Sequence, residues 1–279
     1  QKMLRRHLPV GGTYLNVGHA NLNEECFLQI KAAGMQTAVL VHDTIPLDHP
    51  EFCRPYSLAP FQRKMSVVAH HADLVIHTTP DARAKTERHF AALGRIPTGI
   101  VAALGVELPP PGPLPFEPHH PYFLCLGTIE PRKNHALLLD VWEKLPAPAP
   151  HLYIVGRRGW SNEAVFARLD RLPQDGPVHE MAGLDDAAVV QLLQGAKALL
   201  FPSFAEGFGL PALEAASLGT QVIASNLPVF KQSLQDFAIY LDPSETYSWL
   251  ETIQACAVST LKVGKSFKPP LWTDHFRIV

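Results

Sequence analysis

The sequence predicts an α/β protein built from two doubly wound parallel sheets, and three observations carry that expectation. Short β-branched or apolar runs alternate with helical patterns and Gly/Pro punctuation, the form taken by parallel strands joined through crossover helices. The runs fall into an early and a late series. Between the series, residues 108–121 read LPPPGPLPFEPHHP, too dense in proline for helix or central strand and therefore a semi-rigid linker.

The early strands are expected at 14–17 (YLNV), 37–41 (TAVLV), 73–77 (DLVIH) and 99–103 (GIVAA). The late strands are expected at 122–126 (YFLCL), 151–155 (HLYIV), 177–181 (PVHEM), 197–201 (KALLF), 220–224 (TQVIA) and 238–241 (AIYL). Six strands with their helices suffice for a complete doubly wound domain, placed at residues 113–262. Residues 1–112 offer only four, so if this half carries the same kind of sheet, its opening strands are expected upstream of Gln1. The last segment, 263–279, contains FKPPLWTDHFRIV, read as a closing piece that crosses back to the first domain after the Pro269-Pro270 break.

Composition narrows the function. With 279 residues, 47% hydrophobic, the chain can bury a substantial core. A net charge of −2 leaves no excess of Lys and Arg for the basic footprint that duplex nucleic acid demands, so nucleic acid is excluded as a partner. Cys26, Cys53, Cys125 and Cys256 form no C-x-x-C pair and suit a reducing compartment, the cytoplasm. No apolar run reaches the roughly 18 residues that span a bilayer, so any membrane association is expected to be peripheral. No pair of histidines has metal-ligand spacing on a helix face.

The chemistry concentrates in the late series. FPSFAEGFGLPALEAASLG, residues 201–219, follows a strand pattern and opens a helix through Pro211. Glu206 then sits on a loop, Gly207 and Gly209 allow a tight turn and close approach to a ligand, and Glu214 lies in the first turns of the helix. Two ionised carboxylates so placed can accept hydrogen bonds from two hydroxyl-bearing parts of one ligand. The alternative is that Glu214 merely complements the helix dipole and the glycines serve the turn.

Near the start of that series, CLGTIEPRKNHALLLDVWEKL, residues 125–145, reads as strand, loop and an amphipathic helix capped by Asn134. Arg132 and Lys133 beside a helix N-terminus make either a diphosphate site or a basic solvated loop. Further on, Asp185 is expected to cap the helix that follows Gly183 and Leu184, with Asp186 in its first turn, while Gly156 and Arg157 end a strand at the ligand-bearing edge of the sheet. In the early series, His42 and Asp43 end another such strand, and a His there is either structural or functional.

The FPS, EGFGLP and EAxxxG pieces closely resemble the Glu-(seven residues)-Glu motif of family 4 retaining glycosyltransferases of the GT-B fold. The resemblance covers roughly residues 14–255 and is strongest over 122–225. It implies two doubly wound Rossmann-like domains facing a cleft, the first lacking its N-terminal strands. It also implies transfer of a hexose, with mannose favoured, from a GDP- or UDP-sugar donor to a glycan or lipid-linked saccharide acceptor, with retention and without a cofactor. Glu206 would contact the transferred sugar and Glu214 the ribose. Gly207, Phe208, Gly209 and Leu210 would line the donor site, Lys133 and Arg132 would face the diphosphate, and Arg157 would be a further phosphate contact. The family's Arg after the strand is Thr128 here, a departure for which Arg132 is the expected substitute. Gly183 and Leu184 would lie by the nucleobase and His42 by the donor sugar, with Asp43, His19 and Asn21 as lesser cleft residues. With no carboxylate nucleophile in evidence, the resemblance implies front-face substitution assisted by the leaving phosphate.

Three rivals stay open at this level. A nicotinamide-dependent oxidoreductase would need G-x-G-x-x-G after an early strand, which is absent. A non-catalytic or truncated nucleotide-sugar-binding fragment, or a nucleotide-sugar epimerase of the same fold, would share the donor residues.

Overall fold

All ten expected runs form strands, with ends shifted by at most two residues, and every strand pairing is parallel. The structure, a computed structural model, describes residues 11–259 and 267–279. The chain divides into two compact units, one of Gln1–Gly105 with Pro270–Val279 and the other of Val106–Pro269.

In the first unit, β1 (Thr13–Asn16), β2 (Gln36–Val41), β3 (Leu74–His77) and β4 (Thr98–Val101) lie in sequence order. Helices α1 (Glu24–Ala32), α2 (Ile45–Asp48), α3 (Leu58–His71) and α4 (Pro80–Ala92) connect them. Asn23 starts α1 by accepting from the amide of Cys26, and Thr79 starts α4 by accepting from that of Ala82, ahead of a proline whose missing N–H is harmless there. One face of the sheet, through Val39, Val41 and Val75, packs on Phe27, Met65, Val68 and Phe90.

In the second unit the strands and helices alternate strictly. They are β5 (Tyr122–Leu126), α5 (His135–Lys144), β6 (His151–Val155), α6 (Glu163–Leu169), β7 (Val178–Met181), α7 (Asp186–Gly195) and β8 (Leu199–Phe201). Then come α8 (Leu210–Ser217), β9 (Val222–Ser225), α9 (Pro228–Leu234), β10 (Ile239–Leu241) and α10 (Thr246–Val258). The sheet order is β10-β9-β8-β5-β6-β7, the doubly wound order. Phe123 and Cys125 of β5 point into a core with Leu138, Trp142, Trp249 and Ile253. On the opposite face the Tyr122 hydroxyl donates to the Leu192 carbonyl at 2.8 Å, and a Cβ on Gly195 would lie 2.3 Å from that hydroxyl oxygen, so only glycine fits there.

The proline-rich run has neither helix nor strand and is counted with the second unit from Val106 on, a division earlier than the expected one at 112. The Gly112 amide donates to the Ala187 carbonyl and the His119 amide to the Tyr153 hydroxyl, so the run is laid along α7 and β6. Of the closing segment, α11 (Trp272–Ile278) belongs to the first unit, with the buried His275 ring 3.0 Å from the Ala103 carbonyl. Residues 263–266 of that segment lie outside the described residues.

Candidate active site

Strand order in the second sheet reverses between β5 and β8, which pair through Leu124 and Leu199. Loops leaving the carboxyl ends of two such strands diverge to opposite faces and open a crevice, the place where open α/β sheets hold ligands. The loop after β5 carries Thr128–Asn134, and the loop after β8 carries Ser203–Gly209. Residues 73 positions apart thereby meet.

The meeting is ionic. Lys133 Nζ donates to Glu206 Oε1 at 2.6 Å and Arg132 Nη1 reaches the same oxygen at 2.8 Å. Arg132 also donates from Nε and Nη2 to Glu130 Oε1, at 3.0 and 2.7 Å, and from Nη1 to the Ala205 carbonyl at 2.7 Å. Its own carbonyl accepts from the Phe204 amide at 2.8 Å. Side-chain exposure is 7% for Glu206, 4% for Glu130, 18% for Arg132 and 11% for Lys133, so solvent screens these charges poorly. Removing one partner from such a buried set costs about 3–5 kcal/mol, because the other charge is stranded. Burial alone would raise the Glu206 pKa, but the Lys133 and Arg132 charges lower it below the ordinary value, so the carboxylate is ionised at neutral pH.

Backbone freedom makes room for this cluster. Gly127, with φ +128°, leaves the space through which Lys133 passes, since a Cβ there would lie 3.3 Å from Lys133 Cε. Lys133 then lies over the Phe201 ring at 4.3 Å, a cation–π contact that orients it. A Cβ on Gly156 would stand 1.9 Å from the Gly127 carbonyl oxygen, so β5 and β6 end this close together only with glycine. Gly209, with φ +82°, starts α8 against the Phe230 ring, with Pro211 in the first turn.

Asn134 departs from expectation. It is the N-cap residue of α5 but adopts the left-handed conformation with φ 54°, makes no side-chain cap hydrogen bond, and instead donates from its amide to the Pro243 carbonyl at 2.9 Å. The turn Pro131–Lys133 before it is a 3-10 helix, and the left-handed residue that ends this turn directs the amide toward the loop before α10. Asp185 does cap α7, accepting from the Ala188 amide at 2.8 Å.

The other expected donor-side residues fall around the same edge. Glu214 is half-buried in α8, and its pKa is raised by burial and then by the charge of Asp186. Phe208 is buried, while Gly207 and Leu210 are half-buried. Thr128 and the side chain of Arg157 are exposed. Gly183, with φ +82° and open space where a Cβ would stand, joins Leu184, Asp185, Pro113, Leu114 and Pro115 around a groove of about 330 Å³. Sequence reasoning missed Glu130, Gly127, Phe201 and the proline wall of this groove. It also missed His135, 1% exposed at the start of α5, whose pKa burial and the Lys133 charge push down to about 4. The position of Glu130, two before Arg132, was the available signal.

In the first unit His42 follows β2 with its Nε2 2.9 Å from the Val17 carbonyl. A carbonyl only accepts, so Nε2 donates to it and Nδ1 is the ring nitrogen left for another partner. The His19 ring lies 5.6 Å away, with its Nε2 3.1 Å from the Leu40 carbonyl. Both His19 and Asn21 have positive φ, at 55° and 56°. Asp43 accepts from the Ile45 amide at 3.0 Å, a local turn contact. Among the described residues no cluster of three His, Cys, Asp or Glu side chains is arranged to hold a metal, and no helix is long and apolar enough to cross a membrane.

Comparison with known proteins places this geometry in a family, because residues 112–254 match the sequence model described as "Glycosyl transferases group 1". The chain belongs to the group 1 glycosyltransferases. This group 1 glycosyltransferase is 32% identical over 244 residues to the serotype-specific mannosyltransferase WbdA of Escherichia coli, covering 79% of the chain and 30% of that protein. It is 28% identical over 221 residues to the O-antigen chain mannosyltransferase RfbU of Salmonella typhimurium, covering 77% of the chain and 59% of that protein. The chain thus spans only part of these relatives. Its fold is similar to that of sucrose-phosphate synthase from Thermosynechococcus elongatus, with a TM-score of 0.71 and 19% identity over 88% of the chain and 65% of that structure. The parallel α/β architecture is that of the GT-B glycosyltransferases.

Proposed function

We propose that this protein is a retaining mannosyltransferase of family 4 that moves mannose from GDP-mannose to a glycan or lipid-linked saccharide acceptor in polysaccharide assembly. The observation that carries the reading is the Lys133–Glu206–Arg132 cluster at the reversal of strand order. A buried anion gripped by cations beside a helix start is suited to hold a sugar hydroxyl next to a departing diphosphate, the group whose charge grows as the glycosidic bond breaks. The mannosyl preference is supported by the relatives WbdA and RfbU.

In this reading Lys133 receives the diphosphate, Glu206 accepts from a hydroxyl of the transferred sugar, and Glu214 accepts from the ribose hydroxyls. Gly183 and Leu184 flank the base in the groove closed by Pro113–Pro115, and the backbone of Gly207–Leu210 lines the donor. Arg157, exposed at the end of β6, adds a phosphate contact, and Thr128 a polar one. His42 contributes its ring Nδ1 to the sugar. No cofactor is required, since the cations balance the leaving group, and the leaving phosphate takes the acceptor's proton in a front-face substitution. The enzyme works in the cytoplasm, with peripheral membrane association where the acceptor is lipid-linked.

Calorimetric titration with GDP, GDP-mannose, UDP and UDP-glucose, followed by transfer assays with anomeric analysis of the product, tests this. GDP binding at least tenfold tighter than UDP, with an α-linked product, is the expected result, and binding of neither nucleotide would overturn it.

A further inference from the structure

Two cations face Glu206, and the structure assigns them different work. We propose that Arg132 is a positioning residue, clamped by Glu130 to hold the Glu206 loop in place, and that Lys133 is the one of the two that answers the diphosphate. The inference rests on the donor-site reading above and goes beyond it by assigning Glu130 a role and removing Arg132 from the phosphate contacts.

The difference lies in how each cation is held. Arg132 commits its fork on both sides, with Nε and Nη2 on Glu130 and Nη1 shared between the Ala205 carbonyl and Glu206. Its backbone is tied to the same loop through Phe204. A guanidinium has five N–H donors in a fixed plane, so turning it toward a ligand would break contacts on both flanks at once. It would also strand Glu130, 4% exposed, whose partner in the structure is Arg132. Lys133 is held differently. Its ammonium has three rotatable donors and an ion pair with Glu206, and that carboxylate keeps Arg132 if Lys133 shifts. The set of Glu130, Glu206, Arg132 and Lys133 is neutral as it stands, so a diphosphate is best met by the one cation whose movement leaves no anion unpaired. Thr128, in the place where the family carries an arginine, brings no charge of its own.

The test separates binding from rate with GDP and UDP as calorimetric probes and sugar transfer as the kinetic readout, on the intact protein. Glu130→Gln keeps the side-chain shape and releases the clamp. Nucleotide affinity should stay within about threefold while kcat falls at least roughly 30-fold at unchanged donor KM. Arg132→Lys retains the charge but cannot span Glu130, Ala205 and Glu206 together, so it should show the same split and not restore the rate. Lys133→Ala should weaken nucleotide binding at least roughly 30-fold. Affinity lost as much in Arg132→Lys as in Lys133→Ala, or an unchanged kcat in Glu130→Gln, would overturn the clamp. Unchanged nucleotide binding in Lys133→Ala overturns the proposal if Arg132→Lys carries the affinity loss instead, and overturns the donor-site reading itself if no variant loses affinity.

Discussion

Glu206→Gln isolates the anion at the centre of the cluster. The substitution preserves shape and one acceptor oxygen but deletes the charge that Lys133 meets at 2.6 Å and Arg132 at 2.8 Å. Arg132 keeps Glu130, but Lys133 loses the carboxylate it is paired with while staying largely buried, so the net loss is about 3–5 kcal/mol. For a unit of this size that corresponds to a fall in Tm of roughly 6–20 °C. The pH dependence has a definite sign. Because the folded pKa of Glu206 is depressed by Lys133 and Arg132 against the opposing effect of burial, its ionic contribution is present above the unfolded value and is lost as pH falls through the folded one. Thermal melts of both proteins should therefore differ by a constant amount from neutral pH down to about 4.3 and converge below it. Turnover should fall roughly 100-fold, while GDP binds as well or better because Lys133 is released. Unchanged turnover would remove Glu206 from the reaction, and a stability gap that persists in acid would show that the cluster is not held by charge.

Other outcomes follow from the same geometry. Glu214→Gln should weaken nucleotide binding by about 1–1.5 kcal/mol at neutral pH. In the unaltered protein, affinity measured by calorimetry should decline on acidification sooner than for an ordinary carboxylate, because burial and Asp186 raise the pKa of Glu214. Gly156→Ala would set a methyl against the Gly127 backbone, so β5 and β6 must part, with a loss of about 1–3 kcal/mol in denaturant unfolding and a parallel loss of nucleotide affinity. His135, neutral in the fold with a pKa near 4, makes stability fall as pH drops from about 6.5 toward 4, since only the unfolded chain takes the proton. His135→Leu should flatten urea melts across that window by up to about 3 kcal/mol, and an unaltered slope would show that His135 does not drive it. Phe123→Ala, at a fully buried position of β5, should cost about 3–5 kcal/mol by denaturant titration.

The sequence by itself determined the local features. Strands such as Tyr122–Leu126 and Leu199–Phe201 are apolar runs buried at every position, and their length and punctuation distinguish them from helices without any tertiary information. The capping of α7 by Asp185 and the start of α8 near Pro211 rest on side chains that act within one turn, and both were legible in the chain. The family resemblance that singled out Lys133, Glu206 and Glu214 also rests on short runs of sequence. What only the tertiary structure decided is which of these segments meet. The reversal of strand order sets the loop after β5 beside the loop after β8, and no window of sequence contains both. Glu130, two residues from Arg132, reads in isolation as a loop carboxylate, and it becomes a clamp only because the Ala205 carbonyl and Glu206 arrive on the other side of the guanidinium. The same holds for Asn134, where a local rule predicted a cap and the distant Pro243 carbonyl took the amide instead. A single cap is worth about 1 kcal/mol, whereas leaving a buried carbonyl or a buried charge without its partner costs about 1–5 kcal/mol. At the switch point the long-range contacts win.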